Sequence, residues 1–396
     1  MNLPKLIIWG VLFALPFIFK IEALEQFRQP KEDFMIMMAF FAVANIYFKR
    51  VSWISGVLIC YVAVNQYLGV FSTQDSSALP LLAALLVALV FITDDRKLVE
   101  RYQRHMVTFM VIPAVWGIAQ CFKLIPPDIM YYVPGAEVRP TFFFGQQTLY
   151  GPIAVAAFIM ALYQRRWIFA LILFVPIPLI DSSFTYLALA VGLVCFLIDW
   201  KSWLISPFII ISILIGITAL WLYDPGAPIL NDNGRFTVWR HTLYLSQGAP
   251  VMGRGLGAFK NFYYPIIQDK NLRKLNGVKD DTLTPESKKI TIEAENLLTT
   301  SGKFLSAHSE PIEILFELGI VGLILALSVL AHVIYMKVSI PLGPVENSLF
   351  AVFFVFAANS IGNFIFHLSP QGLYPLICYV LLASWSKIKP CRKKTY

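Results

Sequence analysis

The chain has 396 residues, of which 58% are hydrophobic and only 14% are charged, and its mean hydropathy is +0.67. So few polar residues cannot cover the surface of a soluble domain of this length, which excludes an ordinary soluble enzyme. The formal net charge is +8. Because the basic residues cluster between apolar runs, this charge favours contact with anionic membrane lipids over nucleic acid.

Long apolar runs dominate the chain, and runs of about 17–25 residues are typical of membrane-spanning helices. In chain order we predict twelve spans: 5–20, 34–48, 51–71, 79–93, 106–122, 148–164, 167–180, 184–199, 203–222, 312–335, 347–366 and 370–386. The seventh is short and contains Pro176 and Pro178, so we expect it to be tilted, broken or joined to its neighbour.

These spans predict an all-α polytopic membrane protein with about 12 transmembrane helices and one large outer loop between spans 9 and 10. Residues 1–222 hold transmembrane helices 1–9 and residues 223–311 form the loop, which includes surface helices. Residues 312–396 hold helices 10–12 and a basic tail. The five cysteines lie in or beside spans or in the tail, so they offer neither a disulfide framework nor metal-ligand spacing.

The distribution of Lys and Arg predicts the orientation. With the N-terminus inside, 16 Lys and Arg fall on the inner side and 5 in the short outer loops. Cytoplasmic loops carry such an excess. We therefore expect a multi-pass protein of a bacterial inner membrane, with both termini cytoplasmic and the long loop periplasmic.

The first candidate site segment leads from an outer loop into the sixth span. It contains Arg139, Gln146 and Gln147. A guanidinium matches phosphate oxygens bidentately, and two amide side chains beside it can bind hydroxyl groups. The alternative is an interfacial arginine beside glutamine helix caps.

The second segment lies in the long loop. An Asn-Gly turn at 233–234 is followed by residues with helical spacing, in which Phe236, Trp239 and Leu243 share a face that could rest on the bilayer. Arg235 and Arg240 could then contact a lipid headgroup. The alternative is an amphipathic surface helix whose arginines are only solvated, and we expect His241 on this helix to have a packing role.

The third segment is a glycine cluster, Gly248–Phe259. Its glycines permit tight turns and a close approach of the backbone to its neighbours. No strand precedes it and its spacing is not that of a dinucleotide-binding loop. We interpret it as a structural loop.

The fourth segment joins the long loop to the tenth span and contains His308. Pro311 and the carboxylates of Glu310 and Glu313 suit the first turn of a helix. The positive end of a helix disfavours imidazolium, so His308 is suited to accept a proton, as a general base for a sugar hydroxyl must. The alternative is a simple cap or an interfacial residue.

In this order the four segments resemble the O-antigen ligase and polymerase superfamily of bacterial inner-membrane glycosyltransferases. The resemblance covers about residues 138–325 and rests on these residues: Arg139, Gly145, Gly234, Arg235, Trp239, Pro250, Gly253, Gly255, Gly257, Phe259, His308, Leu315, Glu317 and Gly319. It implies a mostly helical protein with about a dozen spans and a large periplasmic loop. It also implies an undecaprenyl-diphosphate-linked glycan donor and a reaction that needs neither cofactor nor metal.

The resemblance also suggests roles. Arg139 and Arg235 would neutralise the diphosphate, with Gln146, Gln147 and Arg240 as further substrate contacts. His308 would be the base, Trp239 would hold the lipid, and Glu317 would orient its segment. The chain departs from the family where Ser182-Ser183 is followed by Phe184-Thr185, since many members have an arginine there, and where it has glutamine in place of asparagine at 146 or 147.

The acceptor distinguishes the functions within this superfamily. Lipid A–core defines an O-antigen ligase, a second lipid-linked glycan a polymerase, and a protein hydroxyl an O-oligosaccharyltransferase. The single dominant outer loop favours the ligase. The alternative from another class is a secondary transporter, but the chain lacks obvious twofold symmetry and its spans contain almost no charged residues. A non-catalytic membrane scaffold is a third interpretation.

Overall fold

A computed structural model describes residues 36–39, 53–68, 78–89, 96–124, 147–180, 182–199, 235–259, 309–339, 342–361 and 369–385. Its helices are α1 (Trp53–Leu68), α2 (Ala78–Leu89), α3 (Arg96–Cys121), α4 (Gln147–Tyr163), α5 (Trp167–Phe174), α6 (Pro176–Leu179), α7 (Ser183–Asp199), α8 (Arg235–Ser246), α9 (Glu310–Ser339), α10 (Pro344–Ser360) and α11 (Ser369–Trp385). These ranges contain no strand, in agreement with the predicted all-α class.

Nine of the twelve predicted spans correspond to helices of the described ranges. The predicted spans 5–20 and 203–222 lie outside those ranges, and of 34–48 only residues 36–39 are described, as helix. The helix that contains the fifth predicted span is longer than the span, because α3 begins at Arg96, ten residues before position 106. The number of spans and the topology across the membrane stay predictions.

The polar start of α3 is helical because its apolar side packs on the bundle. Val99, Tyr102 and Gln103 are buried, whereas Arg96 and Arg101 on the other side are exposed. The charged residues lower the average hydropathy of this turn, so a search for apolar runs leaves it out. The turn is nevertheless helical, because only one of its faces meets solvent.

The seventh predicted span is broken, as expected. α5 ends at Phe174 and α6 begins at Pro176, with Val175 between them in a helical conformation. Proline has no N–H to donate into the preceding turn, so the hydrogen-bond ladder is interrupted there.

α4 is the centre of the bundle. Every residue from Tyr150 to Leu162 is buried, which is typical of a helix that is apolar on all sides. It packs against α3, α5, α7 and α10. A Cβ on Gly192 of α7 would lie 2.8 Å from both Ile159 Cγ1 and Val355 Cγ2, so a glycine lets α7 approach α4 and α10 closely.

α9 lies at the edge of the bundle, against α1, α8, α10 and α11. Among the described helices it alone is long and apolar enough to cross a membrane by length and composition, and five other apolar helices are 10–17 residues long. Its outer face is a stripe of exposed apolar side chains: Ile320, Ile324, Leu327, Ile334 and Val338. This stripe suits contact with lipid chains.

Polar contacts distinguish one end of the bundle. Arg96 Nη2 lies 3.5 Å from Glu346 Oε2, and Lys337 Nζ donates to Asn347 Oδ1 at 2.6 Å. All four residues belong to the side that the sequence predicts to be inner. The loop after α8 contacts the first half of α9, far along the helix from Lys337. The side-chain contact of Lys337 therefore lies near the end of α9, and the contacts of the loop after α8 lie near its start.

Candidate functional site: the loop that clasps helix α9

α8 docks on α9 through one face. Its buried residues follow helical spacing: Val238, His241, Thr242, Leu245 and Ser246. The packing role predicted for His241 is therefore confirmed. Trp239 is half-buried, while Arg240 and Leu243 are exposed. The solvent-facing side of α8 thus presents Arg240 next to apolar side chains, as a surface that meets lipid headgroups would.

The glycine cluster, residues 248–259, binds to α9 through its backbone. Arg254 N donates to Phe316 O at 3.2 Å and Gly255 N donates to Glu317 O at 2.8 Å. In the other direction, Ile320 N donates to Pro250 O at 2.8 Å and Val321 N to Val251 O at 3.3 Å. The loop therefore uses its own donors and acceptors to satisfy both sides of one position in α9, and we call this arrangement the clasp.

That position is Gly319, where α9 kinks. Its φ of 65° and ψ of −169° are not helical, so the helix cannot close its own hydrogen bonds there. The loop donors and acceptors replace them. Tyr61 of α1 adds one more donor, since its hydroxyl lies 2.5 Å from Leu318 O. The kink is thus held from two sides, by the loop and by α1.

Two glycines meet at the clasp, and both need to be glycine. Gly253 and Gly319 have φ values of 71° and 65°, which side chains rarely tolerate. A Cβ on Gly253 would collide with the carbonyl of Glu317, and a Cβ on Gly319 with that of Val251. The structure confirms the interpretation of the cluster as a structural loop with close backbone approach.

Two buried charged residues complete the clasp. Glu317 is 1% exposed, and its Oε1 accepts a hydrogen bond from Phe259 N at 3.0 Å. Arg254 is also 1% exposed, donates from Nη2 to Leu245 O at 2.6 Å, and lies over the Phe316 ring at 4.7 Å. Burial lowers the pKa of Arg254 to about 10, so it remains a cation at neutral pH. Arg254 therefore ties the end of α8 to α9.

The structure places only some of the predicted site residues. Arg139, Gln146 and His308 lie outside the described ranges, and Gln147 and Arg235 are described only as the first residues of α4 and α8. His308 directly precedes Ser309, which is buried and whose carbonyl accepts from Glu313 N at 3.0 Å. α9 begins at Glu310, which confirms that a helix starts immediately after His308.

An apolar cavity of about 550 Å³ lies along α9 between Glu310 and Leu330. Its walls come from α1, α2, α9, α10 and α11, and almost all of its lining atoms are apolar. Its few polar lining residues include Ser55, Glu310, Ser360 and Tyr379. A cavity of this size and chemistry can hold a hydrocarbon chain, and Glu310 places one of its walls at the start of α9.

The sequence analysis missed two residues of the clasp. It placed Arg254 only within a structural loop and did not single out Tyr61. The only local signal for Arg254 was an arginine between closely spaced glycines, which a backbone clasp explains once its partners Leu245 and Phe316 are known.

A family comparison bears on this unit. Residues 168–327 match the family model described as O-antigen ligase. Over these residues the chain is similar to the O-antigen ligase family. No curated protein matches the chain significantly. The matched range runs from α5 into α9, so it contains α8, the clasp and the segment of His308, whereas Arg139, Gln146 and Gln147 lie before it.

The match to the O-antigen ligase family domain supports a coarse function. Proteins of this family are membrane-embedded and bacterial, and the long apolar helix α9 fits this. The domain supports an O-antigen ligase or polymerase type of function, carried out by a glycosyltransferase-like enzyme on lipid-linked oligosaccharide.

Proposed function

We propose that this protein is an O-antigen ligase, which transfers glycan from an undecaprenyl-diphosphate-linked donor to lipid A–core at the periplasmic face of the bacterial inner membrane. The observation that carries the proposal is the family match over residues 168–327. In that range α8, whose first residue is the candidate Arg235, and α9, which begins at Glu310 just after the candidate His308, belong to one clasped unit.

The diphosphate is the leaving group, and its departure needs its negative charge to be neutralised. Arg139 and Arg235 take this role, with Arg240, Gln146 and Gln147 as further polar contacts. Support for Arg240 comes from its exposure on the outer face of α8, beside the half-buried Trp239. An arginine fork binds two phosphate oxygens at once and thereby also fixes the orientation of the donor.

His308 removes the proton from the acceptor hydroxyl as the oxygen attacks the anomeric carbon. The start of α9 at Glu310 supports this role, because the positive helix end favours neutral imidazole. Direct attack, with no covalent enzyme intermediate, inverts the anomeric configuration. Neither a metal nor a nucleotide takes part.

Glu317 orients the segment and does not react. Its buried carboxylate accepts a hydrogen bond from the backbone N–H of Phe259 and so fixes the last residue of the glycine cluster to α9. The apolar cavity beside Glu310 supports a hydrocarbon-bearing substrate in the same unit.

The test is a transfer assay with purified protein, lipid-linked glycan and lipid A–core, with chelator present and nucleotide absent. A general base contributes about 10²–10⁴-fold in rate, so His308→Ala should slow transfer by that order while donor binding stays near wild type. His105→Ala is the matched control, since it removes an imidazole from α3, in the segment predicted to lie on the inner side.

Each outcome of this assay decides something. Transfer by His308→Ala at the wild-type rate would contradict the base assignment, and loss of donor binding as well would indicate a structural histidine. If wild type extends lipid-linked glycan but does not modify lipid A–core, the protein is a polymerase. If it modifies only a protein hydroxyl, it is an O-oligosaccharyltransferase.

A further inference from the structure

A second polar feature lies where the polar start of α3 meets the turn between α4 and α5. Arg166 Nη1 donates to Arg104 O at 3.1 Å and to Thr108 Oγ1 at 2.9 Å. Its guanidinium also lies 3.7 Å from the centre of the Phe169 ring. Three contacts thus fix the position of the Arg166 side chain against α3.

This arrangement places the guanidinium of Arg166 against the backbone of Arg104, on the same turn of α3 that carries the Arg104 side chain. Partial burial lowers the pKa of Arg166, and the nearby charge of Arg104 lowers it further. Within the described part of the chain, neither arginine forms a salt bridge, whereas Arg96 on the same helix is paired with Glu100 and Glu346. Two cations that repel each other without an acidic partner form a site that favours an anion.

Apolar side chains continue from this pair along both helices. On α3 the exposed residues after Thr108 are Ile112 and Val115. On α5, which packs against α3, Ile168 is 74% exposed and Leu171 is 67% exposed. The surface is therefore complementary to an anionic phospholipid, because it has a cationic site at one end and an apolar face that extends from it.

We propose that Arg104 and Arg166 bind the phosphate of an anionic phospholipid, whose acyl chains lie along the exposed apolar face of α3 and α5. Charge complementarity selects the headgroup, and the apolar face selects a lipid over a free anion. This lipid is neither donor nor acceptor of the glycan, and the site does not depend on the proposed transfer reaction. Its role is to hold the α3–α5 edge of the bundle in the membrane.

The test is native mass spectrometry of the full chain in detergent, titrated with phosphatidylglycerol, phosphatidylcholine or inorganic phosphate. Wild type should bind phosphatidylglycerol more tightly than phosphatidylcholine. Loss of one charge-assisted contact in Arg104→Gln should weaken phosphatidylglycerol binding about tenfold. This variant keeps the hydrogen bonds that Arg166 makes to the backbone of residue 104 and to Thr108, so α3 and α5 stay joined.

Lys97→Gln is the control, because it removes the same charge from the exposed face of α3 about two turns away. It should bind phosphatidylglycerol like wild type. Equal binding by Arg104→Gln and wild type, or equal weakening by both variants, would overturn a defined site. Displacement of the lipid by an equal concentration of inorganic phosphate would show that a free anion suffices, which would overturn the lipid assignment.

Discussion

Arg254 and Arg240 belong to neighbouring parts of one loop, yet their surroundings separate their roles. Arg254 is buried at 1% exposure against Phe316 and Leu245, whereas Arg240 is exposed. A buried guanidinium that donates to a backbone carbonyl stabilises the protein and is not available to a substrate. Of these two arginines, the exposed Arg240 is therefore the candidate for phosphate binding.

The proposed phosphate contacts of Arg139 and Arg235 depend on the planar fork and not only on charge. Arg139→Lys and Arg235→Lys should each reduce transfer, because each lost charge-assisted contact costs about 1.5–3 kcal/mol, or about 10-fold or more in rate. Initial rates at equal protein level measure this. Arg101→Lys, on the exposed face of α3, is the control, and full activity in both site variants would reject recognition of the diphosphate by these guanidinium groups.

The sequence predicted the packing role of His241 but not the burial of Arg254. The helical spacing of α8 carries enough information to separate a packing histidine from its exposed neighbours. The burial of Arg254 depends on where Leu245 and Phe316 converge, and Phe316 is 62 residues away in the chain. A pattern of neighbouring residues cannot predict a contact between residues so far apart in the chain.

At the scale of the element, α9 shows what hydropathy can and cannot predict. The helix start after His308 was predicted from Pro311 and the carboxylates, and the helix indeed begins at Glu310. The kink at Gly319 was not predicted, because one glycine within an apolar run is compatible with a continuous helix. The kink exists because the partners of the clasp, Pro250 to Gly255, are supplied from another part of the chain.

The clasp should therefore be sensitive to its two glycines. Gly319→Ala forces a residue with a side chain into φ 65° and ψ −169°, against the carbonyl of Val251, and backbone strain of this kind costs about 1–3 kcal/mol. Thermal unfolding in detergent should show a lower Tm for this variant and for Gly253→Ala. Gly56→Ala on α1 is the matched control, since a Cβ there meets nothing within 4 Å. A Tm like that of wild type in both clasp variants would contradict the kinked, clasped geometry.

At the scale of the whole molecule, the sequence predicted most of the helices but not their arrangement. Long apolar runs predict helices, because a chain that crosses lipid must satisfy its backbone hydrogen bonds internally. They say little about which helices touch, since nearly every side chain in them is apolar and pairing depends on shape. The central position of α4 and the close approach of Gly192 to Ile159 and Val355 are of this kind.

The orientation of the molecule also stays a prediction, and cysteine labelling tests it. In a background without the five native cysteines, a membrane-impermeant thiol reagent should label Asp280→Cys in intact spheroplasts, because the long loop is predicted to be periplasmic. It should label Lys394→Cys only after permeabilisation, because the basic tail is predicted to be cytoplasmic.

Arg101→Cys links this experiment to the fold. Arg101 is exposed on the polar start of α3, and Arg104, one turn further along that helix, lies beside Arg166. Since that end of the bundle is predicted to be cytoplasmic, Arg101→Cys should behave like Lys394→Cys. Labelling of positions 101 and 394, but not 280, in intact spheroplasts would show that the orientation is the inverse of the predicted one. His308 would then lie on the cytoplasmic face, away from a periplasmic acceptor. Labelling of 101 together with 280 would instead show that α3 starts on the same side as the loop, which would contradict the predicted number of crossings between them.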